Sequence, residues 1–159
     1  MEMEFVRYKH ARFSARLPSH FRYSLSHFWM VEDPETPGLW RVGFTKFALR
    51  MLGELVDVHF ERPPGAPVQP GDVLGSIEGF KAVSDIYCVG NGRFTGANPA
   101  LQSGLELLSR DPYDAGWLYE FEGEPDSRCL DVYGYQELLN TTIDRILARQ
   151  KADESPASK

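Results

Sequence analysis

"SIEGFKAVSDIY" runs from Ser76 to Tyr87, and how it is read decides the fold. Two β-prone runs, "VLGSIEG" (Val73 to Gly79) and "VSDIYCV" (Val83 to Val89), meet across Phe80, Lys81 and Ala82. Runs of β-branched and aromatic residues joined by so short a break predict a hairpin, with Lys81 at its tip. Working outward, "WRVGFT" (Trp40 to Thr45) and "ELVDVHF" (Glu54 to Phe60) carry the same strand signal. "ERPPGAPVQPGD" and "GNGRFTGANP" read as turn-rich connections. Strands this close together, without helices between them, predict an antiparallel sandwich or barrel rather than a parallel βαβ sheet. One short helix interrupts them: "KFALRML" (Lys46 to Leu52) is long enough for two turns before Gly53 stops it.

The C-terminal part changes period. From Asp131 to Gln150, apolar residues recur at Tyr135, Leu138, Leu139, Ile143, Ile146 and Leu147. This is the spacing of an amphipathic helix, expected to pack on the sheets. The domain reading is therefore an N-terminal extension over 1–22, one main domain over 23–150, and a polar tail, "KADESPASK", over 151–159. Such a tail is too polar to bury a core of its own and is expected to be disordered.

Composition narrows the function. The 159 residues suit one compact domain, and the net charge of −6 argues against a nucleic-acid partner, because phosphate binding needs clustered cations. No apolar run approaches the roughly 20 residues of a membrane-spanning helix, so no membrane role is expected. Cys88 and Cys129 are far apart in sequence and form no C-x-x-C, which points to a reduced, cytoplasmic setting rather than a disulfide scaffold. The four histidines (His10, His20, His27, His59) lack metal-binding spacing. "GNGRFTG" places its third glycine one residue late for a dinucleotide fingerprint and reads as turn chemistry. That leaves Lys81. On its residues alone it is either an ordinary solvated turn lysine or one presented for covalent modification, with Glu78 and Asp85 flanking it.

Four motifs in order point further. Glu78-Gly79-Phe80-Lys81-Ala82-Val83-Ser84-Asp85 resembles the E-S-V-K-A-x-S-D segment of the H proteins of the glycine cleavage system. "VGFTKFALRMLGELVDV" (Val42 to Val58) resembles their V-G-I-T-x-x-A-x-x-x-L-G-x-I-V-x-V, and Asp111 to Leu118 matches D-P-Y-x-x-G-W-L without a break. Ser26-His27-Phe28-Trp29 resembles their S-H-E-W, with one departure. The similarity covers about Tyr23 to Leu139. It implies a mainly β barrel-sandwich hybrid of the lipoyl/biotinyl type, with lipoate in amide linkage on Lys81. It also implies a carrier without catalysis of its own, modified by a lipoate ligase or a lipoyl/octanoyl transferase. Its partners would be glycine decarboxylase, aminomethyltransferase and dihydrolipoyl dehydrogenase. The loaded arm would dock in a cleft to which Ser26, His27, Phe28 and Asp85 correspond, with Glu78, Gly79, Phe80, Ala82 and Asp85 forming the lipoylation context.

Phe28 stands where the family has glutamate, Phe80 where it has a small valine, and Phe47 where Tyr or His is frequent. A cation withdrawn from water needs a paired charge or good acceptors, and Phe28 supplies neither, so the cleft is expected to be unusually apolar. Two further readings follow from that departure. One is an H-like lipoate carrier with sulfur cargo, served by heterodisulfide-reductase-like sulfur-oxidation enzymes. The other is an unlipoylated interaction module.

Overall fold

The computed structural model describes residues 3–153. Along the chain run β1 (Phe5–His10), β2 (Phe13–Pro18), β3 (Arg22–Tyr23), β4 (Phe28–Glu32), β5 (Leu39–Phe44) and α1 (Lys46–Leu52). There follow β6 (Leu55–Phe60), β7 (Pro67–Val68), β8 (Val73–Gly79), β9 (Val83–Tyr87) and β10 (Gly90–Ala97). A 3-10 turn at Pro99–Ser103, α2 (Glu106–Arg110), β11 (Tyr119–Pro125) and α3 (Val132–Asp153) complete the order. A six-stranded sheet, β3-β4-β5-β11-β10-β7, shares one core with a three-stranded sheet, β6-β8-β9, and β1 pairs with β2 separately. The neighbouring strands are antiparallel. This is the mainly β architecture that the strand spacing predicts, with the short helix and the long C-terminal helix in their expected places.

Phe28, Met30, Val42 and Phe44 from β4 and β5 meet Leu74, Ile77 and Ile86 from β8 and β9 in the main core. Trp29 leaves that core for a second one, with Tyr23, Phe47, Tyr135 and Leu139. Because successive side chains of a strand point to opposite faces, β4 is buried on both sides. The indole needs room from its cross-strand partner Gly43; a Cβ there would lie 2.5 Å from the ring. The Trp29 Nε1–H then donates to the Pro112 carbonyl at 2.9 Å. That contact gives the "DPY" stretch a structural task, as does the Asp111 carboxylate accepting the Ala115 N–H at 3.2 Å.

Three boundaries differ from the sequence reading. The expected N-terminal extension holds a packed element over 5–18: Tyr8, Phe13, Ala15 and Leu17 of the β1–β2 hairpin are buried in the second core with α3. Tyr8 Oη–H donates to Asn140 Oδ1 at 2.7 Å, and Lys46 Nζ donates to the Ser14 carbonyl at 2.9 Å. "GNGRFTGA" is a strand rather than a connection. Its glycines permit close approach: a Cβ at Gly92 would sit 1.8 Å from the Glu122 carbonyl oxygen, and one at Gly90 would sit 2.3 Å from the Phe121 ring. Finally, α3 continues through Lys151, Ala152 and Asp153, so the polar tail does not begin at 151. Lysine and alanine are good helix formers, and residues 154–159 lie outside those described. The helix starts as expected, with the Asp131 carboxylate accepting the Gly134 N–H at 2.8 Å.

Candidate functional site

Lys81 does sit at a hairpin tip. Glu78 pairs with Val83, and the Gly79 N–H donates to the Ala82 carbonyl at 2.9 Å, leaving Phe80 and Lys81 as the two central loop residues. Their backbone is held from below. The Lys81 N–H donates to the Leu52 carbonyl, and the Phe80 N–H to the Glu54 carbonyl, both at 2.9 Å. The carbonyls at a helix end lack intrahelical partners, so the tip of the hairpin satisfies the end of α1 while α1 fixes the tip. Two glycines make the approach possible. Gly53 adopts φ +75°, ψ −162°, and a Cβ there would lie 2.9 Å from Lys81 Cγ; one at Gly79 would lie 2.1 Å from the Leu52 oxygen. The anchoring partners Leu52, Gly53 and Glu54 were not singled out as site residues from sequence. Their signal was the glycine ending "KFALRML".

The lysine side chain is exposed, and so are its apolar neighbours: Phe80 is 77% and Val83 71% exposed. Large apolar side chains clustered in the open around one lysine form a surface that another protein can cover. Glu78, Ala82 and Asp85 are exposed as well.

Next to the tip lies a cleft of about 310 Å³. Ser26, His27 and Phe28 all line it, facing Ala82, Val83 and Ser84. Asp85, expected in the cleft, is not among its lining residues. Asp85 is exposed and stands opposite Ser76 in register, next to the buried Ile86. The serine-rich turn before β4 is built locally, with Ser24 Oγ accepting the N–H groups of Ser26 (3.3 Å) and Phe28 (3.0 Å). It holds His27 at φ +70°.

His27 Nδ1 lies 2.9 Å from the Tyr135 hydroxyl, whose oxygen is 2.8 Å from Thr45 Oγ1. Thr45 also accepts the Ala48 N–H as the N-cap of α1. Burial lowers the His27 pKa to about 4, so the ring is neutral at pH 7. Phe28, at 2% exposure, stacks on Phe44 with ring centroids 5.3 Å apart. The cleft therefore offers serine hydroxyls, a neutral imidazole and aromatic faces, with no carboxylate among its lining residues. Cys88 is buried, its thiol pKa pushed up by that burial. Among the described residues, no group of three or more His, Cys, Asp or Glu could hold a metal ion, and no helix is long and apolar enough to cross a membrane.

Two antiparallel sheets around one core, with a lysine exposed at a two-residue hairpin tip, have the architecture of a barrel-sandwich hybrid. Comparison with known proteins makes this specific. Residues 21–142 match the family model described as glycine cleavage H-protein. The glycine cleavage system H protein of Hydrogenovibrio crunogenus is 38% identical over 128 residues, covering 78% of this chain and 96% of that one. Its counterpart from Escherichia coli is 34% identical, covering 79% and 97%. The crystal structure of a glycine cleavage system H protein from Mycobacterium marinum superposes with a TM-score of 0.66 at 30% identity, covering 75% of this chain and 95% of that one. The chain belongs to the glycine cleavage H-protein family. Members of this family carry lipoate covalently on a lysine. These relatives favour the glycine cleavage reading over the sulfur-cargo one.

Proposed function

We propose that Lys81 carries the lipoyl group and that the chain shuttles aminomethyl cargo and electrons among glycine decarboxylase, aminomethyltransferase and dihydrolipoyl dehydrogenase. The observation that carries this is the division of labour at Lys81. Its backbone N–H is tied to Leu52 while its side chain stands exposed between Phe80 and Ala82. A modifying ligase or transferase needs an accessible nitrogen in a defined place, and a tethered group then visits several active sites at raised effective concentration. Lipoate supplies a redox-active pair of sulfurs when attached. The chain's own residues do the rest. Leu52 and Glu54 fix the origin of the arm, Phe80 and Val83 offer an apolar docking surface to partner enzymes, and the cleft beside Ala82 shields cargo from water. The protein has no turnover of its own in this reading and works in the cytoplasm.

The test is intact mass after expression with a lipoate ligase. One lipoyl addition is expected, lost in Lys81→Arg. An addition that survives the substitution would move the attachment to another lysine.

A further inference from the structure

A second hollow opens beside Lys81, larger than the cleft. It encloses about 760 Å³ and is walled by the β1–β2 turn (Arg12, Phe13), by α1 (Arg50, Met51) and by the last turns of α3 (Ile146, Leu147), with Lys81 at its edge. That volume lies within the range of about 300–1,000 Å³ typical of small-molecule sites. Two of its walls lie outside residues 21–142, the span that the family model matches. The hairpin turn precedes that span, and Ile143 through Gln150 follow it.

The chemistry of the lining selects its occupant. The charged residues that line it are Arg12, Arg50 and Lys81, and it has no carboxylate. The Arg50 guanidinium lies 5.7 Å from the Phe13 ring centroid, over an aromatic face. Leu147 and Met51 are 43% and 46% exposed, unusually open for such side chains. Acylation abolishes the charge of Lys81, which leaves two guanidinium groups around an apolar floor. Such a site accepts an uncharged aliphatic chain and repels an ammonium.

We propose that the uncharged lipoyl arm of Lys81 rests in this groove, and that cationic aminomethyl cargo drives the arm out of it. The occupant is tethered to the groove's own edge, so it needs no separate encounter. The inference depends on Lys81 being the lipoylated residue, and the experiment separates the two statements.

Amide chemical shifts of the unlipoylated, lipoylated and aminomethyl-loaded full-length chain are compared by ¹H–¹⁵N NMR, with lipoylation checked by intact mass. Lipoylation should shift Phe13, Ile146, Leu147 and Gln150. Leu147→Glu, at a partly exposed helix position, should abolish those shifts while the added mass remains. Loading with aminomethyl should return them toward their unlipoylated values, and Arg12→Glu should weaken that return. If Leu147→Glu perturbs α3 itself, the loading comparison in the wild-type chain decides alone. No added mass on Lys81 overturns the attachment and the resting site together. Added mass with shifts confined to Ser26, Val83 and Ser84, or to the hairpin tip, leaves the attachment standing and overturns the resting site. Groove shifts that persist unchanged on loading overturn its selectivity for the uncharged arm.

Discussion

Phe28→Glu restores the residue found at this position in the family's S-H-E-W motif, and the structure predicts that the restoration is costly. Phe28 is 2% exposed, stacked on Phe44 and part of the main core. Removing such a ring typically costs about 3–5 kcal/mol. The introduced carboxylate regains some contact but must either lose its hydration or stay protonated, and burial raises a carboxyl pKa by as much as 3–5 units, at about 1.4 kcal/mol per unit. A net loss of roughly 3–5 kcal/mol at pH 7 corresponds to a fall in Tm of about 6–20 °C for a chain of this size. The sign of the pH dependence follows. A carboxyl whose folded pKa is raised harms stability least below its unfolded pKa and most above its folded one, so the deficit should shrink as the pH falls from 7.5 to 4.5. Calorimetric melts of wild type, Phe28→Glu and the apolar control Phe28→Leu, at both pH values, measure this. Phe28→Glu melting within about 2 °C of wild type at pH 7.5 would refute the reasoning, because it would mean that the side chain reaches water in the cleft instead of the core.

Three further outcomes are expected. His27 is neutral at pH 7 with a pKa near 4, so its contribution to stability is complete above the unfolded value of 6.5 and is lost as the pH falls toward 4. The loss amounts to roughly 3 kcal/mol, and His27→Asn, which tolerates the positive φ, should flatten that part of the stability–pH curve in urea titrations. Gly53→Ala forces a side chain into a region open essentially to glycine and against Lys81 Cγ; it should cost about 1–3 kcal/mol and slow lipoyl addition in timed mass spectra. The aminomethyl-loaded carrier should release ammonia and formaldehyde faster than H proteins that keep the glutamate, and equal lifetimes by mass spectrometry would show that Ser26 or another acceptor suffices.

The parts of this fold legible in sequence were those governed by local pattern. The strands around Lys81 are rich in β-branched and aromatic residues, α1 ends at a glycine, and α3 shows a helical stripe. The elements that escaped have signals that become meaningful only in pairs. In "GNGRFTGA" the glycines look like turns until β11 is laid 1.8 Å from where a Cβ would be. The β1–β2 hairpin is basic on its exposed residues and hides Tyr8, Phe13 and Leu17 against a helix more than a hundred residues away. Asp85 is exposed beside the cleft without lining it, which a motif match alone does not register. Phe28 was legible as a departure, but its burial depended on Phe44 across the sheet.

β4 is the partition between two cores, and its successive residues belong to different rooms. Phe28 and Met30 lean on the sandwich, while Trp29 leans on the hairpin and α3. A tug on either core is felt by the next peptide unit of the same strand, so neither half can melt in private. Trimming the chain to residues 21–142, the span that the family model matches, would strip Tyr8, Phe13 and Leu17 from beside Trp29 and Leu139. The carrier would then lose not an accessory but the outer wall of a room whose inner wall supports Phe28 and the cleft.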